Sequence, residues 1–140
     1  MRSLVIALIL LLACEAARRQ PQTIRLEYGG LGIWRGVTGG YVWSVVVDVK
    51  AHTITATDPD GKPRTRPLEA NELGELVTLA DAARAEPRSA QTTATDYHEQ
   101  LDVIAGDDHF EVENSGPIER PAAKQLVGAL DAAAHWPRVD

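Results

Sequence analysis

The chain predicts an α+β fold, an antiparallel sheet with two helices packed on one of its faces, in the order β-β-β-α-β-β-α. Three observations lead there. Short runs alternate between apolar and polar residues, two longer segments repeat their apolar residues at helical spacing and stop at prolines, and the second pair of strands closes in register as a hairpin.

Thr23 to Tyr28 places Ile24, Leu26 and Tyr28 on one face, with Arg25 and Glu27 on the other, as in a half-buried strand. Gly29 to Gly40 is rich in glycine and reads as an inter-strand loop. From Tyr41 to Val49, residues Tyr41, Trp43, Val45, Val47 and Val49 share a face, while Val42 and Val46 lie on the other. Apolar residues on both sides predict a central strand. His52 to Thr57 is a third β-prone run, ended by the turn residues Asp58-Pro59-Asp60-Gly61, after which a polar loop leads to the first helix.

In that helix Leu73, Leu76, Val77, Ala80 and Ala83 form one apolar stripe, and Pro87 bars continuation. Tyr97 to Ile104 and Asp108 to Glu113 form the clearest hairpin. A two-residue Gly106-Asp107 turn sets Val103 opposite Phe110 and Leu101 opposite Val112. Pro121 suits a first helical position, and Ala123, Leu126, Val127, Leu130 and Ala134 form the stripe of a second helix that stops at Pro137.

Ahead of this domain lies an export signal. Arg2 is followed by an unbroken apolar run from Leu4 to Ala13, the length of a secretory core and short of the roughly 20 residues needed to span a bilayer. The run ends Leu11-Leu12-Ala13-Cys14, which resembles the lipobox of bacterial lipoproteins. The resemblance implies removal of residues 1–13 and attachment of lipid to the Cys14 thiol, the only thiol in the chain. Cleavage near Ala16 or Ala17 by an ordinary signal peptidase is the alternative. Two or more acyl chains hold a protein firmly at a membrane. Glu15 follows the cysteine, and the absence of aspartate there favours an outer-membrane destination in a cell with two membranes.

Residues 14–22 read as the lipidated cysteine with a short tether, and residues 23–140 as a single domain. Loss of Arg2 with the signal leaves a chain one unit more negative than the −6 of the whole sequence. That balance argues against nucleic acid as a partner. With Cys14 lipidated, no disulfide is available to the fold.

The sequence offers little catalytic chemistry. The glycine-rich stretch lacks the Gly-Lys-Ser/Thr ending of a phosphate loop, and a strand follows it. Trp34 and Arg35 amid its glycines are residue types enriched in binding hot spots, so this segment is the candidate protein-contacting tip. His98-Glu99 opens like a zinc-protease motif, but the second histidine position holds Asp102. Asp102, Asp107, Asp108, Glu111 and Glu113 crowd the outer side of the second hairpin. They read as a solvated face or a calcium site, and no metal or cofactor is expected. His98 and His109 are the histidines able to approach one another across that hairpin. No nucleophile, base and oxyanion set emerges, so the chain is not expected to be an enzyme.

Ile24-Arg25-Leu26-Glu27-Tyr28-Gly29-Gly30-Leu31-Gly32-Ile33, the helix around Leu73 to Ala83, Asp96 to Val103 leading into Phe110-Glu111-Val112, and the closing Pro121 helix together resemble emfourin-type proteins, small inhibitors of thermolysin-like metalloproteases. The segment from Tyr41 to Arg66 is longer than that family's pattern, and no inhibitory residue transfers by motif. The resemblance implies a non-catalytic module that binds a protease. An accessory lipoprotein docked on an envelope assembly is the other expectation, and a small ligand in the crevice between sheet and helices is a third.

Overall fold

The computed structural model describes Ile6 and residues 20–34, 37–87 and 96–135. Strands β1 (Thr23–Trp34), β2 (Val37–Asp48), β3 (Thr53–Thr57) and β4 (Pro63–Pro67) precede helix α1 (Ala70–Ala85). Strands β5 (Tyr97–Ala105) and β6 (Asp108–Asn114) precede helix α2 (Pro121–Ala134). All six strands form one antiparallel sheet in the order β4-β3-β2-β1-β5-β6. The α+β class and the two helices on one face agree with expectation, and β2 is internal.

Two differences stand out against the expected order. The described residues of the glycine-rich stretch are strand, and the polar loop before the first helix contains β4, so among the described residues the sheet has six strands rather than five. The inward positions of β4 carry Arg64 and Arg66, with prolines at both ends. It therefore lacks apolar alternation, and its prolines suit an edge strand.

Register lines the inner face up in rows. Arg66, Ile54, Val47, Ile24, Val103 and Phe110 form one row across the sheet, and Arg64, Ala56, Val45, Leu26, Leu101 and Val112 form the next. Leu73, Leu76, Ala80 and Ala83 of α1 and Ala123, Leu126, Leu130 and Ala134 of α2 are buried in the same core. Both predicted stripes thus face the sheet. The third row changes chemistry, to Trp43, Tyr28, Glu99 and Asn114.

Polar contacts fix the helix ends. Glu72 accepts the amide of Glu69 at 2.9 Å at the start of α1, and it also holds Arg66 through two hydrogen bonds of 2.9 and 3.2 Å. Arg66 and Arg64 reach the carbonyls of Ala133 and Ala134 at the end of α2, where cations oppose the helix dipole. The Glu86 carboxylate accepts the amides of Ala122 and Ala123 in the first turn of α2. A loop residue after one helix therefore caps the other.

The β5–β6 hairpin has the expected register, with Ala105 opposite Asp108 and Gly106 at φ +63° in the turn. Pro21 is fully buried, and Gln22 bonds to Ile104 and Val49 on either side. The last residues of the expected tether are docked rather than free. Cys14 and the expected signal segment, Ile6 apart, lie outside the described residues. Among the described residues, no helix is long and apolar enough to cross a membrane.

Candidate functional site

The β1–β2 hairpin outruns its neighbours. Pairing of β1 with β5 stops at Gly30 opposite Tyr97, and pairing of β2 with β3 stops at Ser44 opposite Thr57. The two strands continue together from Leu31 opposite Gly40 to Trp34 opposite Val37, a further ~13 Å at about 3.3 Å per residue. Among the described residues this ribbon has no third strand, and it forms an arm at one end of the sheet.

Glycine lowers strand propensity, so the stretch reads as a loop from sequence, yet close backbone approach here requires it. A Cβ on Gly29 would lie 1.9 Å from the Tyr41 carbonyl oxygen, and one on Gly30 would lie 2.4 Å from that of Asp96. Trp34 closes β1 at the far end of the arm. Its side chain lies outside what is described, as does Arg35, so the expected contact pair is located through the Trp34 backbone alone.

At the base of the arm the third row of the sheet meets α2. Tyr28 stacks on Trp43 with ring centroids 6.3 Å apart and planes 8° from parallel, and its hydroxyl donates to Asp131 Oδ1 at 2.9 Å. Tyr97 donates to Glu99 Oε1 at 2.8 Å, and Glu99 Oε2 accepts the amide of Ile118 at 2.7 Å. Leu26, Tyr28, Tyr97, Glu99, Val127, Gly128 and Asp131 enclose a cleft of about 160 Å³.

Burial, then the hydrogen bond to Asp131, pushes the Tyr28 phenol well above its ordinary range. Burial and Glu99 do the same to Tyr97. Both phenols are held as proton donors to carboxylates. The cleft sets two carboxylates beside two aromatic rings.

No protein-family model and no curated protein matches the chain. The site stands on its own residues.

The expected acidic face of the β5–β6 hairpin lies on the side away from the helices. Asp102 is opposite Glu111 as expected, and His109 reaches across the diagonal to hydrogen-bond Asp102 Oδ1 at 2.9 Å. Ligand atoms of Asp102, His109 and Glu111 lie within 4.8 Å of one another. Asp108 belongs elsewhere, joined to Arg84 of α1 at 2.7 Å. His98 and His109 do not meet. His98 lies opposite Gly29 and His109 opposite Ile104, about 20 Å apart along the strand.

Sequence reasoning placed the aromatic and acidic residues on strands and helix but did not assemble the cleft. A signal was present. Glu99 shares the inward alternation of Leu101 and Val103, and Asp131 follows Val127 by one helical turn, so both carboxylates interrupt inward-facing apolar patterns.

Proposed function

We propose that this protein is an exported lipoprotein held at a bacterial membrane by lipid on Cys14, in the outer membrane where the cell has one, and that its domain binds another protein through the β1–β2 arm without catalysing a reaction on it. The observation that carries the reading is the arm itself. A two-stranded ribbon is marginal in water on its own, and this one extends past both neighbouring strands, with no further strand paired to its edges among the described residues. Trp34 ends its first strand and Arg35 follows it in the sequence, residue types that dominate binding energies when buried by a partner. The arm also begins at the opposite end of β1 from the residues that lead to Cys14, so anchoring leaves it outward.

Resemblance to the emfourins makes a thermolysin-like metalloprotease the first partner to test. Full-length protein in detergent is mixed with such a protease at equal concentration, and the residual protease activity is measured. The inhibitor reading requires slowed turnover that is lost in Trp34→Ala with Arg35→Ala. In parallel, a photo-crosslinking residue at position 34 is activated in intact cells. Recovery of a protease supports inhibition, and recovery of an envelope complex replaces it with an accessory role. No crosslinked protein from the arm position overturns the protein-binding reading. Anchoring is tested separately: Cys14→Ser should move the protein from the membrane to the soluble fraction, and retention at the membrane would refute lipidation.

A further inference from the structure

We propose that the cleft at the base of the arm receives a positively charged side chain, lysine or arginine, from the protein bound there. The inference rests on the protein-binding reading and specifies what the partner must supply.

Size limits the occupant. A water molecule takes about 30 Å³ of liquid volume, so 160 Å³ holds roughly five such groups. That is the outer half of a lysine or arginine side chain, and far less than a nucleotide or a peptide segment.

Charge then selects among occupants of that size. Glu99, 8% exposed, and Asp131 both line the cleft. Among the described residues neither pairs with a lysine or arginine: Glu99 accepts from Tyr97 and the Ile118 amide, and Asp131 has Tyr28 and His135. Two carboxylates beside one small cavity repel each other, and a cation between them removes that repulsion. An anionic or neutral occupant would leave it in place.

The walls add a second attraction. Tyr28 and Tyr97 present aromatic rings, and Trp43 backs Tyr28. Ring faces attract ammonium and guanidinium groups. Because both tyrosine hydroxyls donate to the carboxylates, the acceptors are already oriented before a ligand arrives, which reduces the ordering cost of binding.

The test uses n-butylammonium and agmatine as probes, with 1-butanol and butyrate as controls of similar size, titrated into the full-length protein and followed by tryptophan fluorescence and NMR shifts at Trp43. Saturable binding of the two cations is expected on the order of millimolar, the range open to so small a ligand, with no saturable binding of the controls. Asp131→Asn should weaken cation binding about tenfold. Gly128→Leu should abolish it, because Gly128 lines the cleft and has room for a side chain, a Cβ there meeting nothing within 4 Å. Thermal melting confirms that this variant is folded.

Failure of the cations to bind the unaltered protein, or equal binding of butanol, overturns the cation-site inference. Crosslinking from the arm is independent of these titrations. Loss of amine binding with arm crosslinking intact rejects only the cleft, whereas amine binding without any crosslinked protein rejects the arm.

Discussion

Replacing Glu86 with alanine removes one carboxylate from two duties. Its oxygens accept the amides of Ala122 and Ala123 at 2.9 and 3.3 Å, and one lies 3.6 Å from Nε of Arg120. Arg120 is 5% exposed and sits 5.5 Å from the centre of the Phe110 ring. Loss of a helix cap costs about 0.5–2 kcal/mol, and removing one partner of a buried ion pair costs about 3–5 kcal/mol. The two overlap, because one carboxylate performs both. Arg120 also keeps a 2.8 Å bond to the Glu86 carbonyl, which places the expected loss near the lower end, about 3 kcal/mol. At about 3–5 °C per kcal/mol for a domain of this size, the melting temperature should fall by about 10–15 °C in a thermal scan at neutral pH. Adding Arg120→Met to Glu86→Ala should recover stability, since no buried charge is then stranded. A fall of less than about 3 °C, or a double variant no more stable than Glu86→Ala, would refute the paired role of Glu86 and Arg120.

Gly74 is exposed in α1, and a Cβ there meets nothing within 4 Å. Gly74→Ala should therefore raise stability by about 0.5–1 kcal/mol in urea titration, and a decrease would mean that Gly74 has a packing role. Tyr28 and Tyr97 have raised folded-state pKa values, so the stability they contribute is complete below pH 10 and is lost as pH rises through the higher folded values. Tyr28→Phe and Tyr97→Phe should each flatten the alkaline limb of stability against pH, and ultraviolet titration should show two phenols ionising above the ordinary tyrosine range. Glu72 shows the opposite sign. Its hydrogen bonds from Arg66, then from the Glu69 amide, lower its pKa, so its contribution is complete above the ordinary carboxylate range and disappears as pH falls through the lowered value. Glu72→Gln should reduce the acid sensitivity of the melting temperature, and an unchanged acid limb would show that the Arg66 contact carries no net stability.

The parts of the fold visible in sequence were those in which side-chain period and burial agree. Val103 opposite Phe110 and Leu101 opposite Val112 follow from alternation and a glycine turn, and the stripe from Ala123 to Ala134 follows from helical spacing. Strand β4 was hidden because its inward residues are arginines whose partners at the end of α2 are distant in sequence. The arm was hidden because glycine signals a turn locally, while at its base Gly29 and Gly30 admit neighbouring backbone too close for any Cβ. The cleft needed the register between β1 and β5 to bring Tyr28 beside Glu99, and α2 to bring Asp131 over both. Each of these is a long-range contact, outside the reach of a local pattern.

Strand β1 joins the arm to the end of the domain that leads toward Cys14. In the anchored protein proposed above, a partner pulled away while gripping the arm would load β1 along its own length, between membrane and contact. Its ladder bonds to β2 and β5 would then resist sliding together in shear instead of opening one after another like a zip. The central strand of the sheet is therefore also its tension member, and force applied at the arm would pass toward the anchor with little leverage on the helices or on the caps that join them.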